Sequence, residues 1–162
     1  MKKCDLSKLL LETPETYYWI GFILADGHID NETRLSITLA KKDLNHLLKL
    51  KEFLQIENIS NTLDGGVSIS GMDSKVIREF CQKFDIVSNK THNPSNVSKI
   101  IDNDLLVALK IGFIDGDGSI GFQSGRKDCI LRIKCHSSWK NNLEYLYGNC
   151  KINNQGYANV NI

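Results

Sequence analysis

Residues 19–27 read WIGFILADG, and residues 110–118 read KIGFIDGDG. In both stretches a glycine holds the third place, an aromatic–aliphatic pair follows, and Asp-Gly closes the run. The closing aspartates, Asp26 and Asp117, stand 91 residues apart. An internal repeat constrains the fold before any other reading, because each copy implies the same local unit.

Outward from the repeat, the same order of patterns recurs. Pro14 opens an apolar run long enough for a buried helix, ended by Asp26-Gly27. After a turn at Asp30–Glu32, alternation places Leu35, Ile37 and Leu39 on one face of a strand and Arg34, Ser36 and Thr38 on the other. Leucines 44, 47, 48 and 54 predict a helix over residues 41–56. Asp64-Gly65-Gly66 is a turn before the alternating strand Val67–Ser70, and Val76, Ile77, Phe80, Cys81 and Phe84 mark an amphipathic helix. The second copy gives a helix ending at Asp117, a hairpin whose second strand turns Cys129, Leu131, Ile133 and Cys135 inward, a helix with Trp139, Leu143 and Leu146, and a last strand. Asp64 and Gln155, Val67 and Ala158, and Ile69 and Val160 keep the 91-residue spacing. The first copy continues past Gly71 through a helix and the segment NKTHNPSN (89–96), whereas Ile162 matches Gly71, so the second copy is expected to lack that last helix.

At 162 residues the chain has room for one domain or two small half-domains sharing a core, without disulfide staples. The longest apolar run, Trp19–Ala25, is too short to span a bilayer, and the N-terminal stretch has no secretory pattern. Five cysteines without a C-x-x-C pair argue for structural thiols in an intracellular, reducing compartment and against a zinc knuckle. The net charge of +1 divides unevenly: −3 through Asp117 and +4 from Gly118 onward. A basic segment beside an acidic one suits a face toward polyanions and a cation site elsewhere.

Small residues four apart, Gly21 with Ala25 and Gly112 with Gly116, share a helix face and permit close backbone approach. If the two motif helices pack side by side and parallel, Asp26 and Asp117 become neighbours. That pairing is unfavourable twice over: helix C-termini repel carboxylates, and two close carboxylates repel each other. A hard divalent cation, Mg²⁺ or Mn²⁺, removes both objections. A single Asp-Gly helix end reads as an ordinary cap with a left-handed glycine. Its repetition in frame argues for a site.

These residues carry a resemblance. WIGFILADG and KIGFIDGDG are similar to the motifs of the LAGLIDADG homing endonucleases, and the order of elements covers nearly the whole chain. The resemblance implies an α+β fold of duplicated α-β-β-α-β-β(-α) half-domains, residues 1–105 and 106–162. It implies motif helices at a pseudo-twofold interface, two DNA-facing antiparallel sheets, and a monomer that hydrolyses phosphodiester bonds in double-stranded DNA, with intron or intein mobility. Asp26 and Asp117 match the family's catalytic, metal-binding acids. Lys90 resembles its lysine that assists the attacking water, or is a solvated loop lysine. Leu24 stands where the motif has its first acid, which Asp115 keeps in the second copy.

On such a saddle the outward strand residues meet the duplex: Asn31, Arg34, Ser36, Thr38, Ser68 and Ser70 in the first half. Gln123, Arg126, Arg132, Lys134, His136, Asn159 and Asn161 serve in the second. Arginine and lysine suit guanine edges or phosphates, and asparagine or glutamine suits adenine. His28 and Ser119, two residues past the aspartates, are placed to hold water. A non-cleaving DNA- or RNA-binding protein such as a maturase or regulator, and an inactive remnant, are the alternative readings.

Overall fold

The computed structural model describes residues 4–87, 89–100, 102–122 and 129–161, excluding the side chains of Phe122, Cys129 and Asn161. In chain order the elements are α1 (Pro14–Asp26), β1 (Gly27–Asp30), β2 (Arg34–Leu39), α2 (Leu44–Phe53), β3 (Ser60–Asn61), β4 (Val67–Met72) and α3 (Ser74–Phe84). There follow α4 (Asn103–Asp117), β5 (Gly118–Phe122), β6 (Cys129–His136), α5 (Lys140–Tyr147), β7 (Lys151–Ile152) and β8 (Tyr157–Asn161). The strands form two four-stranded antiparallel sheets, ordered β1-β2-β4-β3 and β5-β6-β8-β7. The expected α+β duplication is thus present.

Both motif helices start on side-chain caps. Thr13 accepts from the Thr16 amide with Pro14 in the first turn of α1, and Asp102 accepts from the Leu105 amide ahead of α4. Each helix runs through its motif to the aspartate. The following glycines are not left-handed, contrary to the cap reading: Gly27 has φ −73° and Gly118 φ −76°, both extended. They are glycines for space. A Cβ on Gly27 would stand 2.5 Å from the Ile23 carbonyl oxygen, and one on Gly118 would stand 2.2 Å from that of Ile114. The chain therefore passes directly from helix into the edge strand.

The helix predicted over residues 41–56 is shorter. A 3-10 turn at Lys41–Asp43 precedes α2, and Gln55 at φ 50° bends the chain so that Leu54 and Ile56 enter the core. In the first sheet Ile37 pairs with Ile69 and Leu39 with Val67 on the inner face. Ser36–Ser70 and Thr38–Ser68 pair on the outer face, as the alternation requires. In the second, Ile133 and Cys135 are buried inward while Leu131 is only half-buried.

That last difference belongs to a larger asymmetry. In the first half, the segment Leu6–Leu10 and α3 cover α1 and β2, with Tyr17 edge-on to Phe84 and Thr16 Oγ1 donating to the Lys8 carbonyl. Thr16 and Ile20 are fully buried there. Their counterparts at the repeat spacing, Val107 and Ile111, are 44% and 49% exposed, and Ile120 is 74% exposed. Among the described residues, no helix of the second half stands where α3 stands in the first. Ile20→Ala is therefore expected to destabilise the protein by about 2–5 kcal/mol. Ile111→Ala is expected to change it by less than about 1 kcal/mol, because little apolar contact is lost and alanine favours helix. Urea unfolding of the two variants measures the contrast.

Candidate active site

The motif helices touch backbone to backbone. A Cβ on Gly21 would lie 2.1 Å from the Leu109 carbonyl oxygen, and one on Gly112 would lie 1.8 Å from that of Tyr18. Farther along, a Cβ on Gly116 would meet the Ala25 Cβ at 2.4 Å and Asp26 Oδ2 at 3.4 Å. Contacts advance in the same direction along both helices, so α1 and α4 are parallel and both C-termini lie at one end. The sequence expectation that this brings the aspartates together is met in the structure.

Their electrostatics follow from that closeness. Burial, then the charge of Asp117, raises the pKa of Asp26, with Lys90 opposing. Burial likewise raises Asp117, against the hydrogen bond from Cys135 and the charge of Lys90. Asp117 is half-buried, whereas Asp26 keeps an exposed edge. The charge on Asp117 thus opposes ionisation of Asp26.

Lys90 arrives from the loop between α3 and α4. Its Nζ donates to the carbonyl oxygens of Leu24 at 2.6 Å and Ala25 at 2.9 Å, capping the negative end of α1. Burial lowers its pKa, while Asp117 and Asp26 pull it back up. Lys90 is thus half-buried beside both acids and is not a solvated loop residue. The second half clamps this loop: Trp139 Nε1 donates to the Lys90 carbonyl, Ser138 Oγ to that of Thr91, and His92 packs edge-on to His136 at 4.3 Å. Lys90→Met leaves two carbonyls without their donor and should destabilise the protein by about 1–3 kcal/mol, read by thermal or urea unfolding.

Two open pockets flank the helix ends. One, of about 200 Å³, holds Asp117, Lys90, Lys134, Cys135 and His136. The other, of about 530 Å³, holds Asp26, Lys42, Asp43, His46 and Asp115. Cys135 donates its Sγ–H to Asp117 Oδ2 at 3.5 Å, and burial keeps this thiol protonated. Cys135 therefore has more than the filling role read for the cysteines. Its inward place on β6, two residues from the partner of Gly118, is the signal that locates it.

The expected DNA-facing residues divide by surroundings. Asn31, Arg34, Thr38, Arg132 and Lys134 are exposed, and Ser36, Ser68, Ser70 and Asn159 are half-exposed. Thr38 Oγ1 donates to Ser68 Oγ at 3.1 Å, so those hydroxyls partly satisfy each other. Lys134 lies over the Tyr157 ring at 4.2 Å, and Arg132 pairs across the sheet with Ser119 and Asn161. His136 is withdrawn from this face: its Nδ1 takes the Ser138 backbone N–H and it lines the Asp117 pocket. His28 is exposed on β1 opposite Ser36, and the Ser119 hydroxyl donates to the Arg132 carbonyl at 3.4 Å. Gln123 and Arg126 lie outside the described residues, as does the side chain of Asn161.

The donor set at the helix ends fits a hard cation. Two neighbouring carboxylates with raised pKa, beside a Lys90 ammonium already donating to two carbonyls, present oxygen ligands suited to such a cation. Among the described residues no group of three or more His, Cys, Asp or Glu converges as a metal cage. None of the described helices is long and apolar enough to cross a membrane.

No protein-family model matches the sequence, and no curated protein matches it. Solved structures do. The meganuclease I-AabMI bound to uncleaved DNA is similar over 93% of this chain and 79% of its own, with TM-score 0.59 and 12% identity. I-SmaMI bound to an uncleaved DNA target in the presence of calcium ions matches over 94% and 80%, with TM-score 0.57 and 16% identity. I-SmaMI bound to cleaved DNA matches over 94% and 78%, with TM-score 0.56 and 15% identity. With its paired motif helices and two four-stranded sheets, the chain has the fold of the LAGLIDADG homing endonucleases.

Proposed function

We propose that this protein is a site-specific endonuclease of double-stranded DNA, acting as a monomer of two half-domains, residues 1–105 and 106–162. The observation that carries the reading is the delivery of Asp26 and Asp117 to one end of a parallel helix pair whose glycines admit no side chain. Such proximity of two carboxylates is unfavourable for folding alone and useful for a divalent cation and a phosphodiester. The DNA-bound states of the structural neighbours point to the same substrate.

A divalent cation, Mg²⁺ or Mn²⁺, held by Asp26 and Asp117 would supply Lewis acidity at the scissile phosphate. The remaining work falls to this chain's residues. Lys90 fixes the α1 terminus and places positive charge beside both acids. Arg34, Arg132 and Lys134 attract phosphates or read guanine, with Asn31, Thr38 and Asn159 adding polar contacts. On the strand alternation of the sequence, Gln123, Arg126 and Asn161 are proposed as further DNA contacts of the second half.

The test is digestion of a plasmid library carrying randomised or genomic inserts, with Mg²⁺ and with chelator. Metal-dependent linearisation at a recurring site is the expected result. Specific retention of one duplex without cleavage in any divalent cation would replace the enzyme by the non-cleaving binder.

A further inference from the structure

The two pockets at the helix ends are chemically unlike, and the difference lies in a hydrogen-bonded chain that crosses the helix interface. Tyr18 of α1 donates its hydroxyl proton to Asp115 Oδ2 of α4 at 2.6 Å. That hydroxyl also lies 3.3 Å from Nε2 of His46 on α2. Because its only proton is committed to the carboxylate, the Tyr18 oxygen accepts, and His46 must carry its proton on Nε2. The lone pair is then left on Nδ1, which has no partner among the described residues.

His46 is held edge-on to Phe22 at 4.6 Å and packs against Trp19 at 5.2 Å, while lining the pocket that contains Asp26. Burial keeps the ring toward its neutral form, against the pull of Asp115 and Asp43 and together with Lys49. Lys42, one helical turn earlier, lines the same pocket, is exposed and has no ion pair among the described residues. In the Asp117 pocket, by contrast, the Lys90 ammonium is committed to carbonyls and His136 Nδ1 to the Ser138 backbone.

We propose that His46 is a catalytic residue of the Asp26 half-site alone, its Nδ1 accepting a proton from the attacking water, with Tyr18 and Asp115 as positioning residues and Lys42 holding the phosphate. The water oxygen bonds to phosphorus as the bond from phosphorus to the leaving sugar oxygen breaks. One water proton passes to Nδ1, and the leaving oxygen takes a proton from solvent. The strand at the Asp26 half-site is thus cut with the help of a histidine lone pair that His136, its Nδ1 occupied, does not offer at Asp117. This inference rests on the nuclease reading above.

The experiment uses the cleavable duplex found by the library digestion, labelled on each strand separately, under single-turnover conditions with Mg²⁺. His46→Gln should slow one strand by about a hundredfold or more and leave the other within about threefold. Tyr18→Phe, which removes one oxygen, should slow the same strand by about tenfold or more. DNA binding should be unchanged in Tyr18→Phe, with the thermal midpoint lowered only as far as the lost hydrogen bonds require and the protein still folded at the assay temperature. Added imidazole should restore the slowed strand in His46→Ala. Independently of activity, nitrogen-15 spectra of the metal-free protein should show the proton on Nε2 of His46, and loss of that preference in Tyr18→Phe. Equal slowing of both strands, no slowing of either, or the proton on Nδ1 would overturn the proposal. Absence of cleavage by the wild type is the separate signature of a failed nuclease reading.

Discussion

Gly112→Ala is expected to destabilise the protein by about 3 kcal/mol or more and to abolish the close pairing of the two acids. Intrinsic helix propensity points the other way, favouring alanine by about 1 kcal/mol. The overlap decides the sign. The added Cβ would stand 1.8 Å from the Tyr18 carbonyl oxygen and 3.1 Å from the Phe22 amide nitrogen, both backbone atoms that no rotamer change can move. Relief requires α1 and α4 to separate along their contact, which opens the core around Phe22 and Phe113. Gly21→Ala should behave alike, its Cβ meeting the Leu109 carbonyl oxygen at 2.1 Å. Gly121 is the control: a Cβ there meets nothing within 4 Å, so its alanine variant should be close to neutral. Urea midpoints of the three variants make the comparison, and a Gly112→Ala protein as stable as the wild type would remove the close-packing account.

The second large effect concerns the acids themselves. Asp26→Asn and Asp117→Asn should each reduce metal-dependent cleavage by about a hundredfold or more, since several kcal/mol of charge stabilisation depend on a carboxylate ligand. Stability should move in the opposite direction. In the metal-free fold both carboxyls have raised pKa, so the native state binds protons more tightly than the unfolded chain does. Stability is then greatest below the unfolded carboxylate pKa and falls as pH rises through the raised folded values. At neutral pH each asparagine removes that penalty, so the metal-free variants should melt above the wild type and lose part of its pH dependence between those limits. Adding Mg²⁺ should raise the wild-type midpoint by binding the native state and leave the asparagine variants nearly unmoved. Melting curves across pH, with and without cation, test all three statements. Variants less stable than the wild type at neutral pH would contradict the electrostatic account of the pair.

Much of this arrangement is legible in the amino-acid sequence. Asp26 and Asp117 stand in frame because the repeat keeps its 91-residue spacing. Strand alternation puts Ile37 and Ile133 inside and Arg34 and Arg132 outside, because side chains on a strand can only alternate. What misled was local chemistry whose cause is steric: Gly27 and Gly118 look like left-handed caps and are extended residues beneath a carbonyl. What escaped was contact between segments remote in sequence. Tyr18 and Asp115 are 97 residues apart, Tyr18 and His46 are 28 apart, and Cys135 meets Asp117 across a hairpin. None of these pairs follows a period that sequence can display.

The sequence by itself determined the duplication, the helix ends that carry the acids and the inward faces of β2, β4 and β6, because these depend on short-range periodicity and on small residues at fixed spacing. Only the tertiary structure decided which groups surround each acid. Lys90 caps α1 beside both aspartates, and His46 reaches the Asp26 pocket through a tyrosine of one motif helix and an aspartate of the other. The physical reason is that hydrogen bonds and charge act over a few ångströms of space, and chain packing alone sets which residues stand that close.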